Sequence, residues 1–217
     1  VLVTKIESQK NSPERVSLYI NGEYYCGVSL NLLSKYSLYK GKDVTEIELK
    51  SLSLEDKKER FLKRCVDYLN RGMKSEKDIS MYIDKTFYKK KDSWFHDEED
   101  INIEEIKEYT ILTLKQNGYL DDDRYAEAFV SDRVRFKPRS RYMISQELYA
   151  KGISSETANR VMNSMEIDDK DLLDAVYSKK YKSEPLYQNE TKKINFLRSK
   201  GFNWDVISTI VQNDISK

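Results

Sequence analysis

Two stretches, Glu147-Leu148-Tyr149-Ala150-Lys151-Gly152-Ile153 and Phe196-Leu197-Arg198-Ser199-Lys200-Gly201-Phe202, end alike: Lys-Gly, then one large apolar residue. That string stops a helix. Glycine just past the last turn takes the left-handed conformation, the lysine lies near the negative end of the helix, and the apolar residue folds back on the last turn. Beyond each stop the pattern resumes, with Ala158 and Val161 corresponding to Ile207 and Ile210. The chain is therefore expected to repeat a three-helix unit, starting near 121 and again near 168, with a weaker copy over about 57–118. Helices this short cannot each bury a full apolar face, so neighbouring units are expected to stack into an elongated, curved array.

The rest of the sequence fits around that repeat. Val16-Ser17-Leu18-Tyr19-Ile20, then Asn21-Gly22, then Glu23–Val28 reads as a hairpin, because Asn-Gly readily takes the two positive φ values of a type I′ turn. Leu2–Ile6 supplies a third strand across the turn-prone Asn11-Ser12-Pro13, and Leu30, Leu33 and Tyr36 suggest a short helix closed near Gly41. From about residue 45 the period is helical. Thr45-Glu46-Ile47-Glu48 has the form of a capping box and Ser75–Asp78 resembles another; Asn102, Asp122 and Ser154 are expected caps, and Pro138 suits a first turn. The expected fold is mainly α, with tandem three-helix repeats preceded by a small β-rich N-terminal module over 1–50. The repeats are expected over 51–118, 119–166 and 167–217, the first interrupted by an insertion at 88–102 that reads as a mobile loop carrying Trp94, Phe95 and His96.

Composition removes most enzyme classes. His96 is the only histidine, which excludes zinc sites built on two or three imidazoles and leaves a single candidate base for nucleophilic catalysis. Cys26 and Cys65 form no CxxC pair and fit a reducing compartment. Neither GxxxxGK[ST] nor GxGxxG occurs, no apolar run approaches the ~20 residues that span a bilayer, and no signal peptide opens the sequence as it stands. No enzyme activity, cofactor or metal is expected, and the expected setting is the cytoplasm. A hydrolase using His96 is a remote alternative, since only the loop acids near it are fixed as partners.

With 38 Lys+Arg against 37 Asp+Glu, any anion-binding surface must come from local clustering. The cluster is Arg133, Arg135, Lys137, Arg139 and Arg141, five cations within nine residues and no acid among them, broken by Phe136 and Pro138 and followed by Tyr142. It reads either as a corner that points guanidinium groups at phosphates or carboxylates, or as cations that offset a helix dipole and are otherwise solvated. Asp121-Asp122-Asp123 could attract Mg²⁺, but no further carboxylate at regular spacing supports a site, and capping is the simpler role.

Gly118-Tyr119-Leu120-Asp121-Asp122 with Tyr125-Ala126 and Phe129-Val130, followed by Lys137-Pro138-Arg139-Ser140-Arg141, Glu147-Leu148 and Lys151-Gly152-Ile153, resembles the central repeat of the RecX family. Phe196-Leu197 with Lys200-Gly201-Phe202 and Asp205-Val206-Ile207 is similar to its third repeat, and Tyr68-Leu69-Asn70-Arg71 with Ser75-Glu76 to the start of its first. The β-rich module is similar to the extra segment of RecX proteins from Gram-positive bacteria. The resemblance covers about 57–212; the chain departs from it in the 88–102 insertion and in lacking Lys-Gly in the first repeat. It implies a regulator, not an enzyme, that binds RecA and its filament on single-stranded DNA and limits strand exchange and ATP hydrolysis in recombination, repair and the SOS response. The residues expected to meet that partner or its DNA are Arg133, Arg135, Lys137, Arg139, Arg141 and Tyr142, with Arg124 assisting; direct DNA contact is expected to be weak and the chain a monomer without membrane contact. The alternative is a helix-turn-helix-like protein that binds DNA directly through the 121–165 helices, without RecA.

Overall fold

The structure, a computed structural model, describes residues 1–94, 102–182, 184–186 and 190–215. The chain divides into two units, Val1–Gly72 with Ile79–Tyr119, and Met73–Asp78 with Leu120–Lys217. The first opens with an antiparallel sheet in the order β1-β2-β3, from β1 (Val3–Gln9), β2 (Ser12–Ile20) and β3 (Glu23–Ser29). Asn21 and Gly22 hold φ of 51° and 94°, the left-handed pair a two-residue hairpin needs. Val16 and Leu18 pair with Val28 and Cys26 across the ladder, and alternation sends Val16, Leu18 and Val28 to one face.

That face is closed by α1 (Leu30–Lys35), by Leu38 and Val44, and by Leu49 and Leu52 from the first turns of α2 (Glu46–Leu69). Thr45 starts α2 with a complete capping box: its side chain accepts from Glu48 N at 3.1 Å, and Glu48 accepts from Thr45 N at 2.7 Å. Further on, α2 turns Phe61 and Cys65 inward, α3 (Glu76–Trp94) buries Ile79 and Ile83, and α4 (Ile103–Gln116) buries Ile106 and Leu114. These are the spacings of one apolar helix face each. The segment expected as a mobile loop from residue 88 is helical as far as Trp94; the remainder of that insertion, including Phe95 and His96, lies outside the described residues.

The second unit holds α5 (Asp122–Phe136), α6 (Arg141–Ala150), α7 (Ser155–Ser164), α8 (Asp169–Tyr181), α9 (Glu190–Ser199) and α10 (Trp204–Ile215). One apolar core runs through all six, from Val130 and Leu148 through Met162 and Leu173 to Leu197 and Ile207. Both Lys-Gly stops form. Ile153 N donates to Leu148 O at 3.0 Å and Gly152 N to Tyr149 O at 2.9 Å; at the second stop Phe202 N reaches Leu197 O at 3.4 Å and Gly201 N reaches Arg198 O at 2.8 Å. Ile153 and Phe202 are buried as the pattern requires.

Two expected starts move. The cap of α5 is Asp121, whose carboxylate accepts from Asp123 N at 2.9 Å and Arg124 N at 3.1 Å, while Asp122 accepts from Glu76 N at 2.9 Å. Pro138 does not sit in a first turn: Ser140 caps α6, and Pro138 instead keeps Lys137 out of the helix, at φ −142°. Among the described residues no helix is long and apolar enough to cross a membrane.

Candidate partner-binding surface

The cationic cluster spans the end of α5, a four-residue corner and the start of α6. Its cations separate into two kinds. Glu147, one turn before the end of α6, receives Arg133 Nε at 2.5 Å and also Arg139 Nη1, so one carboxylate clamps both sides of the corner. All three side chains are about three-quarters buried, where charge-assisted bonds are stronger than at the surface. Arg133 also lies over the Phe129 ring, 4.3 Å from its centroid. Arg141 faces away from them: its guanidinium donates to Ile167 O at 2.8 Å and Asn163 Oδ1 at 2.6 Å, and its backbone N to Asp169 at 2.7 Å. These three arginines hold α5, α6 and the α7–α8 turn in register.

Arg135 and Lys137 are exposed, and among the described residues neither pairs with a carboxylate; Arg135 lies 5.1 Å from the centroid of the exposed Phe136 ring. Tyr142 is exposed on the first turn of α6. Arg124 is also exposed but is not brought to the corner, since eleven residues along α5 separate it from Arg135 by about 16 Å.

The fold adds groups to the corner that its own sequence does not contain. Phe136–Arg139 forms one wall of a groove of about 260 Å³ whose other walls are Lys179 and Lys180 of α8 with Phe196 of α9 and Lys200 just past its end, floored by Val176. Lys179 Nζ donates to Phe136 O at 2.8 Å, fastening the end of α8 to the corner. Lys180 Nζ sits 3.6 Å from the Phe196 centroid and Lys200 Nζ 5.5 Å from it. Of the five cations lining this groove, only Arg139 has a carboxylate partner among the described residues. Sequence reasoning passed over Lys179 and Lys180 because lysines in a last helical turn suit the dipole, and over Lys200 because it belongs to the helix stop.

The acidic triplet has three separate local duties: Asp121 caps α5, Asp122 receives Glu76 N, and Asp123 pairs with Arg160 at 2.5 Å. Among the described residues no three His, Cys, Asp or Glu side chains gather as a metal site would require. Burial pushes both thiols, Cys26 and Cys65, up to about 12.

The family model for the Regulatory protein RecX N-terminal domain matches residues 1–45, and the one for the RecX second three-helix domain matches residues 121–162. The Regulatory protein RecX of Bacillus licheniformis is 31% identical over 214 residues, 97% of this chain and 76% of that protein. That of Clostridium tetani is 30% identical over 215 residues, 96% of this chain and 92% of the relative. A crystal structure of a regulatory protein RecX superposes with a TM-score of 0.69 at 24% identity, over 97% of this chain and 98% of that one. RecX from Lactobacillus salivarius gives 0.58 at 20% identity, over 75% and 99%. With the sheet, the helical units and the charged corner all in place, these likenesses make the chain a member of the RecX regulatory protein family.

Proposed function

We infer that this chain is a non-enzymatic, cytoplasmic regulator that binds RecA and its filament on single-stranded DNA and restrains strand exchange and ATP hydrolysis. Its setting is recombination, repair and the SOS response, and it works as a monomer without a cofactor. In this reading the β-rich module over 1–50 precedes three helical units, 51–118, 119–166 and 167–217.

The observation that carries the reading is the groove between Lys137 and Lys180, where four cations with no carboxylate partner among the described residues surround two phenylalanine rings. Such a surface recognises an acidic protein face or a phosphate-bearing one, and a nucleoprotein filament offers both. The regulatory name of the relatives supports the same direction. Tighter binding to one filament state than to another would shift RecA between assembly and disassembly without any chemistry. Arg133, Arg139 and Arg141 shape the corner; Arg135 and Lys137 meet the partner, joined by Lys179, Lys180 and Lys200, with Tyr142 and Arg124 at its margins. The test is co-sedimentation with RecA filaments assembled on single-stranded DNA. Lys137→Ala, Lys180→Ala and Lys200→Ala together should weaken sedimentation about tenfold or more with an unchanged helical CD spectrum. Undiminished binding by that variant would remove the groove from the mechanism.

A further inference from the structure

The helices α8 and α9 use one recognition plan twice. On the connection between them, Glu184-Pro185-Leu186 is held against both helices. Lys193 Nζ donates to Pro185 O at 2.6 Å and meets the Glu184 carboxylate at 3.0 Å, and Tyr177 Oη donates to Glu184 O at 2.6 Å. Leu186 is buried, and Lys193 Nζ lies 5.1 Å from the centroid of the Tyr181 ring. An ammonium over an aromatic ring, a carboxylate upon that ammonium and an aliphatic side chain beside it together fix an acidic stretch of backbone.

The groove at the corner repeats the ring, the ammonium and the apolar floor. Lys180 Nζ lies 3.6 Å from the centroid of Phe196, whose ring meets Tyr181 edge-on at 5.7 Å, and Val176, Pro138 and Phe136 supply apolar surface. Lys137, Lys179, Lys180 and Lys200 stand around it with no carboxylate partner among the described residues. Each ammonium has three donors. Lys179 directs one to Phe136 O, so it and its neighbours keep N–H groups for an incoming carboxylate.

The shape of the groove favours a peptide over a strand of nucleic acid. A base needs an open ring face beside the cations. Phe196 already has Lys180 over it, Lys200 at 5.5 Å and the Tyr181 edge, and Phe136 has Arg135 at 5.1 Å. Ring edges and aliphatic surface remain. The volume of about 260 Å³ lies below the roughly 300–1,000 Å³ of a pocket that encloses a whole small molecule, and suits one large side chain.

We propose that the groove takes an extended acidic peptide segment of a partner protein, one aliphatic side chain seated on Val176 between Phe136 and Phe196 and flanking carboxylates paired with Lys137, Lys180 and Lys200. This rests on the reading of the groove as the partner site and assigns it to protein, not to the strand. The cations are already ordered by the rings and by Phe136 O, so the segment meets little further ordering cost.

The probe is a fluorescein-labelled peptide of two glutamates, a leucine and two glutamates, mixed with the whole chain without RecA and read by anisotropy. Serine in place of the leucine should weaken binding about fivefold, and glutamine in place of every glutamate about tenfold or more. Lys137→Ala/Lys180→Ala/Lys200→Ala should weaken the leucine peptide about tenfold or more with an unchanged helical CD spectrum. Phe136→Ser, at an exposed position, should bring the leucine and serine peptides within about twofold of each other. An oligothymidylate of equal charge should leave the bound peptide in place. The proposal is overturned if the lysine variant binds the peptide like the parent, if the serine peptide binds equally well, or if the oligothymidylate displaces the peptide. It is overturned too if gel filtration shows an oligomer that the lysine variant alone dissolves, since a second copy would then fill the groove. A parent that ignores the peptide, beside a lysine variant that still loses filament co-sedimentation, overturns this proposal and leaves the groove as the partner site; undiminished co-sedimentation removes both.

Discussion

Gly201→Ala isolates how the helix stop of α9 holds α6. Gly201 has φ of +86°, and a Cβ there would lie 2.2 Å from Met143 Cγ and 2.4 Å from Ser140 Oγ. The Ser140 hydroxyl is not free to yield: Ser140 is buried and caps α6 by accepting from Met143 N at 3.2 Å, while Ser140 N donates to Lys200 O at 3.0 Å. The left-handed backbone costs a side chain about 1–2 kcal/mol, overpacking about 1–3 more, and loss of the cap about 1. Allowing for partial relaxation, about 3–5 kcal/mol is expected. Gly118 is the control, with φ of +71° and nothing within 4 Å of a built Cβ, so Gly118→Ala should cost only about 1–2 kcal/mol. Urea titrations followed by far-UV CD, with the transition of each unit analysed separately, give both values. Met143→Ala added to Gly201→Ala should recover part of the loss, because it deletes the nearest clashing atom. Equal costs at the two glycines, or no relief from Met143→Ala, would refute the docking of the stop against α6.

Three further outcomes are expected. Glu147→Gln removes the shared carboxylate of Arg133 and Arg139 and should destabilise the second unit by about 1–3 kcal/mol in urea, between the values for surface and buried pairs; a change under about 0.3 kcal/mol would show that the clamp contributes nothing. Lys193 is 1% exposed and donates to Pro185 O at 2.6 Å with Glu184 at 3.0 Å, so Lys193→Met should cost about 2–4 kcal/mol, and a neutral result would contradict that bonding. Because burial raises both thiols to about 12, Cys26 and Cys65 should resist an aromatic disulfide reagent at pH 8 until urea is added; for the same reason their contribution to stability is intact below about pH 9 and is lost between there and about 12. Prompt labelling of both in the folded chain would contradict the burial.

What could be read in advance was whatever a few consecutive residues decide. Asn21-Gly22, the Thr45–Glu48 box and the Lys151-Gly152 and Lys200-Gly201 stops each close hydrogen bonds within six residues, so their chemistry is written locally. The cap of α5 was misplaced by one residue because adjacent aspartates compete on equal terms; the contest is settled by Glu76 N, which lies 46 residues away and takes Asp122. The corner was legible as a charge cluster but not as a mixture of roles. Arg133 and Arg139 are claimed by Glu147, fourteen and eight residues distant, and Arg141 by Ile167 and Asn163. Lys180, Phe196 and Lys200 reach the groove only because the core brings α8 and α9 against the corner, a consequence of packing that no local pattern encodes.

The most direct test of the whole account is RecA's ATP hydrolysis on single-stranded DNA, titrated with the parent chain and with Lys137→Ala/Lys180→Ala/Lys200→Ala. The parent should lower the rate to a plateau, and the variant should need about tenfold more protein to reach the same inhibition. Equal potency of the two proteins, or a rate the parent leaves untouched, would contradict it.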